Sequence, residues 1–214
     1  DVPRGGEAMI DAAFAGLPFA LPDAQRDALV SAYATPPRAY HNIHHVGEVL
    51  RHYAAVSAGP GWMLPVEAAF AVLYHDAIYM AGAKDNEARS AVLAREHLAQ
   101  WWPRVDAGVV ATLIELTARH GTLAPEDVPD ADARLFLDCD MAILGAPPSE
   151  FDAYDRAITA EYRGVVPCWL FAVNRKRFLK GVLARERIYL SDFFHDRLDA
   201  QARANLRRAI TTKR

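Results

Sequence analysis

Residues 66–74, VEAAFAVLY, run directly into residues 75–79, HDAIY, and this junction decides the fold. The first segment is apolar on nearly every side, which is typical of a central helix that its neighbours pack all round. A histidine and an aspartate then follow where burial is expected. Because buried ionisable groups require partners, we expect other segments of the chain to supply them.

The remaining segments carry the helical pattern as well. Apolar residues recur with a period of about 3.6 residues, and no run of Val, Ile and Thr alternates with polar residues over more than a few positions. This pattern predicts an all-α fold. The predicted helices run from the Pro36-Pro37 pair to about residue 56, then over about 65–82, 85–102, 106–120, 132–145 and from 149, and the part after 167 forms two or three more that end near Lys213.

Local capping residues set several of these boundaries. Pro65 is suited to open a helix, and Gly82 is suited to close one. Asp106 is a predicted N-cap. Ser149 together with Asp152 resembles a capping box for the helix that begins there.

Length and composition indicate an ordinary globular protein. The chain has 214 residues, of which 52% are hydrophobic and 24% are charged, and this is sufficient for one well-buried core. We predict a single domain over residues 1–214, in which helical extensions at about 1–35 and 167–214 pack on the core. A homodimer stays open as an alternative to the monomer.

Sequence features also bear on the location of the protein. No apolar run approaches the roughly 20 residues that are needed to span a bilayer, and the first residues lack the features of a secretory signal. Two cysteines, Cys139 and Cys168, are too few and too far apart for a disulfide scaffold. We therefore expect a cytoplasmic protein that does not bind membranes.

The charge distribution argues against a nucleic-acid polymer as partner. The net charge is -3, so no large basic surface is expected. The basic stretches NRKRFLKGVLARER at 174–187 and LRRAITTKR at 206–214 repeat their charges at helical spacing among apolar residues. This arrangement favours a solvated helix face.

Asp140 interrupts the apolar face of the helix predicted at 132–145. When this helix is projected at about 100° per residue, Asp140 falls in the middle of an apolar stripe, while Asp138 falls on the opposite side. A lone buried carboxylate is costly and takes up a proton more readily. Asp140 therefore requires a cation, either an Arg or Lys side chain or a metal ion. The stripe consists of Phe136, Leu137, Met141, Ile143 and Leu144.

The helix after the Pro36-Pro37 pair carries histidines beside its apolar face. His44 projects towards solvent, whereas His41 and His45 are four residues apart, a spacing that can place two imidazoles on one helix face. A single histidine more often has a structural role. Whether these histidines bind a metal ion therefore depends on which residues of other helices face them. The residues that line the edge are His41, His45, Glu48 and His52.

His75 and Asp76 add ligands of the kind that divalent ions use. Adjacent residues project about 100° apart on a helix, so both reach one ion only if it lies beside the helix end. With His45 and Asp140 they would hold a divalent ion and leave positions open for water and substrate. Imidazole and carboxylate suit Mn²⁺, Fe²⁺, Co²⁺, Ni²⁺, Zn²⁺ or Mg²⁺. Such an ion lowers the pKa of bound water and polarises an anionic oxygen.

A set of sequence blocks surrounds HDAIY in a definite order. The blocks are YATPPRAYHNIHHV at 33–46, DNEARSA at 85–91, LDCDMAILG at 137–145, AYDRAITAEYRGV at 153–165 and IYLSDFF at 188–194. The order His, then His-Asp, then a distant Asp, each on its own helix, resembles the signature of the HD-domain superfamily of metal-dependent phosphohydrolases. Within it, the chain is similar to a branch described as predicted HD-superfamily metal-dependent hydrolases, over about residues 29–205.

The resemblance implies an HD-type helical bundle with a metal-dependent phosphohydrolase activity. Carried over residue by residue, it assigns the metal ligands as His45, His75, Asp76 and Asp140. His45 is preferred to His44 because it matches the histidine before an aliphatic residue in the family's block. The chain departs from the wider superfamily at Tyr79, where the motif HD-x-x-K/R often carries a base.

Five further residues are candidates for catalysis or for binding phosphate. His41 would bind phosphate or support a metal ligand, or it has a structural role. Glu87 would orient water as a general base, or it stabilises the start of a helix. His120 would bind an anion or a second metal, or it caps a helix C-terminus. Arg38 and Arg163 would bind phosphate through paired donors, or they are ordinary surface arginines.

These residues predict a hydrolase that acts on a phosphate ester of a small molecule such as a nucleotide. Asp76 would anchor the metal, and Glu87 or His41 would assist proton transfer. A rival from another class is a binding module that keeps the metal and senses a nucleotide without turnover, which Tyr79 favours. A third interpretation makes the polar cluster a structural network without metal.

Overall fold

The structure is a computed structural model, and it describes residues 14–36 and 38–212. Within these residues the chain forms nine α-helices and no β-strand, so the predicted all-α fold is confirmed. Short 3-10 helices span Thr117–Arg119, Pro125–Asp127 and Ala142–Gly145. The α-helices are α1 Asp23–Ala34, α2 Ile43–Ala58, α3 Pro65–Tyr74, α4 Asn86–Trp101, α5 Ala107–Leu116, α6 Ala131–Met141, α7 Pro148–Glu161, α8 Cys168–Leu183 and α9 Asp192–Thr211.

The backbone forms two compact units, Asp1–Ala118 and Arg119–Arg214. The first contains α1 to α5, and the second contains α6 to α9. The prediction of one domain over the whole chain stays a prediction. Residues 1–13 of the predicted N-terminal extension and the predicted helix end near Lys213 lie outside the described residues. In the part of the chain that is described, no helix combines the length and the apolar character that crossing a bilayer requires.

α3 forms the centre of the first unit. Every residue from Ala68 to Tyr74 is fully buried, with no exposed surface, and the helix packs against α2, α4 and α5. This confirms the prediction that the VEAAFAVLY segment is covered on several sides. Because burying one large apolar side chain contributes about 1.5–3 kcal/mol, α3 is a main source of stability for this unit.

The start of α3 agrees with the sequence, but its end does not. The helix begins at Pro65 and ends at Tyr74, whereas we expected it to continue to Gly82. The main-chain N–H groups that would extend it are bonded to side chains of α4 instead. Gly82 lies in the following turn with a φ of 81°, a conformation that glycine adopts without strain.

α2 begins at Ile43, later than predicted, because Asn42 caps it. The Asn42 Oδ1 accepts a hydrogen bond from the main-chain N–H of His44 at 2.9 Å. His41 therefore precedes the helix. The expectation that His41 and His45 share one face of a helix is wrong, because the cap ends the helix before it reaches His41.

A buried polar network ties the end of α3 to α1 and α4. The Gln25 Nε2 donates to the Tyr74 Oη at 2.9 Å, and the Trp102 Nε1 donates to the Gln25 Oε1 at 2.7 Å. The Tyr74 Oη also lies 2.9 Å from the Nδ1 of His97. Burial raises the pKa of Tyr74 above its ordinary value, so the phenol keeps the proton that this network uses.

α5 has the N-terminus that the sequence predicts. The Asp106 Oδ1 accepts hydrogen bonds from the main-chain N–H groups of Gly108 at 2.8 Å and Val109 at 3.1 Å. The predicted N-cap is therefore confirmed. The helix itself ends at Leu116, and a 3-10 helix continues to Arg119, because short 3-10 turns commonly finish helices.

α7 starts differently from the prediction. It begins at Pro148, so Ser149 lies inside the first turn and does not act as a cap. Asp152 accepts a hydrogen bond from the Arg208 Nη2 at 2.8 Å. The predicted capping box of Ser149 and Asp152 is therefore wrong, because a proline opens the helix and Asp152 pairs with α9.

α6 is buried on more than one side within the second unit. Asp138 is 1% exposed, and its carboxylate accepts hydrogen bonds from Leu190 N at 2.8 Å, Ser191 N at 2.7 Å and Ser191 Oγ at 2.6 Å. Burial raises the pKa of Asp138 to about 6, and these hydrogen bonds oppose the rise. The side opposite the apolar stripe is thus covered too, by the segment that precedes α9.

Candidate metal centre

His75 and Asp76 form the turn that follows α3. His75 is 1% exposed, and its Nε2 lies 3.1 Å from the Oδ2 of Asp76. On a continuous helix, adjacent side chains would point about 100° apart. Because α3 ends at Tyr74, the backbone turns and brings both side chains to one point.

His45 joins these two residues from α2. Its Nε2 lies 3.1 Å from the Nε2 of His75 and 3.6 Å from the Oδ2 of Asp76. His45 is 3% exposed, whereas the neighbouring His44 is exposed. The prediction that His45 faces inwards and His44 faces solvent is confirmed, so the first unit brings His45, His75 and Asp76 together.

One backbone contact determines which nitrogen of His75 faces the cluster. The Nδ1 of His75 lies 2.9 Å from the carbonyl oxygen of Val72. A carbonyl oxygen only accepts hydrogen bonds, so Nδ1 carries the hydrogen. In the neutral ring the Nε2 then holds a lone pair, and it is the Nε2 that faces His45 and Asp76. This is the arrangement in which protein histidines bind metal ions.

The distances within this cluster fit one divalent ion. Two donors that each lie about 2.1 Å from an ion are separated by about 3.0 Å at a right angle and about 3.4 Å at a tetrahedral angle. The observed separations are 3.1 Å, 3.1 Å and 3.6 Å. Two imidazole nitrogens and a carboxylate oxygen are donors that such ions accept. The three residues therefore could hold a metal ion.

Arg38 supports the turn from the other side. Its Nη1 donates to the carbonyl oxygens of Asp76 at 2.6 Å and His41 at 3.0 Å, and its Nη2 donates to that of Ala77 at 3.0 Å. The same Nη2 also bonds the carbonyls of Ala32 and Thr35 at the end of α1. One guanidinium therefore joins three segments, and the structure uses it to shape the turn.

α4 holds the segment that follows the turn. The Ser90 Oγ accepts from Ile78 N at 3.0 Å and donates to the carbonyl oxygen of Ile78 at 3.2 Å. The Asn86 Oδ1 accepts from Met80 N, and its Nδ2 donates to the carbonyl oxygen of Met80, both at 3.0 Å. Asn86 and Ser90 are both buried. The block DNEARSA thus positions the backbone after Asp76.

His41 and Tyr79 lie beside the same turn. Their rings stack with centroids 4.0 Å apart, and the ring of His41 lies 5.9 Å from that of His45. Tyr79 occupies the position where the HD-x-x-K/R motif carries a base, and its ring also lies 5.6 Å from the Arg38 guanidinium carbon. The structure therefore places His41 near the cluster as a member of an aromatic pair.

In the second unit, Asp140 contacts His120. The Asp140 side chain is 9% exposed, and its Oδ2 lies 2.7 Å from the Nδ1 of His120, whose side chain is 30% exposed. The prediction that Asp140 is largely buried is confirmed, whereas the predicted cation, an Arg or Lys side chain or a metal ion, stays a prediction, because the contact is with a histidine. The backbone carbonyl of His120 accepts from the Arg185 Nη1 at 3.4 Å, so the histidine is anchored beside the carboxylate.

Glu87 and Arg163 are the remaining candidates, and neither is fully buried. Glu87 lies in the first turn of α4 and is half-buried, which agrees with its alternative role at a helix start. Arg163 is exposed in the turn after α7. The catalytic role of Glu87 and the phosphate-binding roles of Arg38, Arg163 and His120 stay predictions.

Sequence reasoning missed the residues that shape the turn. Asn86 and Ser90 are spaced by four on α4, so they share a face that is otherwise apolar, and this is the signal that would have found them. Arg38 was assigned to phosphate because a guanidinium offers paired donors, but two of its carbonyl partners, Asp76 and Ala77, lie far away in sequence. Periodicity carries no information on such partners.

The chain matches no family model, no curated protein and no solved structure. Membership of the HD-domain superfamily stays a prediction that depends on the sequence blocks. The function is therefore inferred from the site itself.

Proposed function

We propose that this protein is a metal-dependent hydrolase that acts on a phosphate ester of a small molecule such as a nucleotide. One observation carries the proposal: the Nε2 lone pair of His75 points at His45 and Asp76, with all three donors within 3.6 Å of one another. The proposed ligands are these three residues and, as the HD-domain resemblance implies, Asp140. The order of these residues in the HD-domain resemblance supports the same set.

The ligand set suits an anionic substrate. A divalent ion at this point would lower the pKa of a coordinated water and stabilise charge on phosphoryl oxygens. Asp76 and Asp140 offset the charge of the ion, and the neutral imidazoles of His45 and His75 add none. Such a centre would not trap a phosphate ester too tightly to release it, because little net positive charge remains.

The residues around the turn have separate roles in this proposal. Arg38, Asn86 and Ser90 hold the backbone on both sides of Asp76, so the carboxylate keeps its direction. The His41 ring, stacked on Tyr79, is one candidate to exchange a proton with the substrate. Glu87 is the second candidate for proton transfer.

The presence of Tyr79 after the HD pair favours a second candidate function. A phenol replaces the base that many HD-domain proteins carry after the HD pair, and its ring is engaged with His41. Without that cation, a phosphate ester gains less stabilisation of charge during turnover. The alternative proposal is therefore a module that holds the metal and binds a nucleotide without hydrolysing it.

Metal analysis tests the centre. Protein purified without added ions is measured for bound metal and then titrated with Mn²⁺, Co²⁺, Ni²⁺ or Zn²⁺. We expect His45→Gln to weaken binding by about tenfold or more, because it removes a donor. His44→Gln is the matched control, since His44 is adjacent and exposed. Less than about a tenth of an equivalent of bound metal, with none taken up on titration, would favour the structural network and overturn the proposal.

A turnover screen separates the enzyme from the binding module. Phosphate esters are tested with Mn²⁺, Co²⁺, Ni²⁺ and Mg²⁺, and the native chain is compared with Asp76→Ala. Activity that disappears in the variant supports a hydrolase. Activity that persists unchanged refutes the role of Asp76, and metal binding without any turnover favours the module.

A further inference from the structure

A cavity of about 920 Å³ opens in the second unit, distant in sequence from the turn after α3. It lies among the end of α7, the start of α8 and the end of α9. Its size is that of a small-molecule pocket. The residues that line it include Tyr162, Trp169, Phe171, Val173, Arg175 and Ile210.

The wall of this cavity on α8 is apolar and exposed. Trp169 is 67% exposed and Val173 is 49% exposed, and their spacing of four places them on one face of the helix. An exposed tryptophan beside a concave apolar surface is a common mark of a binding site.

The charged residues that line the cavity have one sign. Among the described residues that line it are Arg163, Arg175 and Lys176, and none is an aspartate or glutamate. This contrasts with a net charge of -3 for the whole chain. The surroundings of the cavity therefore favour an anionic group.

Arg175 has unused capacity to donate hydrogen bonds. Its side chain is 10% exposed, and its Nε donates to Asp155 Oδ1 at 3.2 Å. Within the described residues, no acceptor meets its buried Nη2. The rings of Tyr154 and Phe178 hold the guanidinium at 5.0 Å and 5.5 Å. Buried donors without an acceptor are rare in folded proteins, and Arg175 is one of the residues that line the cavity.

The threonine hydroxyl groups of the cavity already donate to backbone carbonyls. Thr159 Oγ1 donates to the carbonyl of Asp155 at 2.8 Å, and the hydroxyls of Thr211 and Thr212 donate to backbone carbonyls of α9. A sugar or nucleoside would find few donors here for its many polar groups. An apolar body with one anionic head suits the walls better.

We propose that this cavity binds a single-chain fatty carboxylate. The carboxylate lies at the Arg175 guanidinium, with Arg163 and Lys176 nearby, and the alkyl chain lies along Trp169 and Val173. The site is independent of the proposed metal centre, because it uses other residues and needs no ion.

The test uses the full chain, labelled with ¹⁵N, and dodecanoate below its micelle concentration. We expect saturable shifts of amide signals confined to α8 and the ends of α7 and α9. Val173→Asp places a carboxylate in the cavity and is expected to weaken binding by about tenfold or more. Val92→Asp on α4 is the matched control, since Val92 is 55% exposed, and it should bind as the native chain does.

A second arm tests the role of the guanidinium. Arg175→Met alone would leave Asp155 buried without its partner, so the double variant Arg175→Met with Asp155→Asn is used. It should keep the fold and lose about tenfold in affinity for dodecanoate. The proposal is overturned if dodecanoate shows no saturable binding, if Val173→Asp binds as tightly as Val92→Asp, or if uncharged dodecanol binds the native chain equally well.

Discussion

One backbone contact of His75 determines which of its ring nitrogens is available to bind a metal ion. The carbonyl oxygen of Val72 holds the hydrogen on Nδ1, and this leaves the Nε2 lone pair towards His45 and Asp76. The sequence indicates that His75 is a ligand candidate, but it does not indicate which nitrogen would act. Only the position of Val72 at the last turn of α3 decides that.

Arg38 is expected to strengthen metal binding by holding the backbone of the turn that carries Asp76. Arg38→Lys retains the charge but not the planar fork that reaches the carbonyls of Asp76, Ala77 and His41. We expect the Co²⁺ affinity to fall by about tenfold and the visible absorption of bound Co²⁺ to change, while the helical circular dichroism is retained.

Arg51→Lys is the matched control for this substitution, because Arg51 is on α2 with a side chain that is 75% exposed. Its affinity and spectrum should equal those of the native chain. An unchanged Co²⁺ spectrum in Arg38→Lys would contradict the positioning role.

His52 is expected to make stability depend on pH. Burial, followed by the nearby Arg51 cation, lowers the pKa of His52 from its ordinary 6.5 to about 4. Between these values the unfolded chain binds a proton that the folded chain does not, so the free energy of unfolding falls as the pH drops from 6.5 to 4. The loss is about 2–3 kcal/mol at most.

Urea unfolding in the presence of a chelator measures this effect. His52→Gln should show a smaller change in midpoint between pH 7 and pH 5 than the native chain. His44→Gln is the control and should keep the native dependence, since His44 is exposed. Equal dependence in all three proteins would exclude His52 as the source.

At the scale of helices, the interiors were predictable and several ends were not. The apolar period locates α3 and α6 because burial repeats with the helix. The ends of α2 and α3 depend on single hydrogen bonds, from Asn42 and from side chains of α4. Of the caps that sequence rules proposed, Asp106 forms and Ser149 does not, because Pro148 opens α7.

α4 is expected to control the turn that carries Asp76. Asn86→Ala removes two hydrogen bonds to Met80, and it leaves a backbone N–H and C=O without their partners. We expect a loss of about 1–3 kcal/mol in the free energy of unfolding and a weaker affinity for Co²⁺. Ser57→Ala is a suitable control, because the Ser57 hydroxyl donates to the carbonyl of Tyr53 within α2, away from the turn. An unchanged metal affinity in Asn86→Ala would contradict the proposal that α4 controls the turn that carries Asp76.

At the scale of the whole molecule, bound metal is expected to stabilise the fold by mass action. A free ion concentration of about 100 times its Kd adds about 2.7 kcal/mol, which corresponds to a rise in Tm of about 5–10 °C. Chelation should reverse the rise. Differential scanning calorimetry with and without Co²⁺ measures it, and Asp76→Ala should show no metal-dependent shift. A similar rise in Asp76→Ala would mean that the ion binds elsewhere.

The sequence alone determined that the chain is helical, that α3 is central, and that His45, Asp140 and the HD pair interrupt apolar faces, because all of these follow from periodicity. It also determined the choice of His45 over His44. Only the tertiary structure decided where α2 begins and where α3 ends. It also decided which nitrogen of His75 faces the cluster, and that the Arg38 guanidinium donates to backbone carbonyls. These features depend on partners such as Asn86 and Ser90, which meet the turn through folding, and no local pattern encodes their contacts.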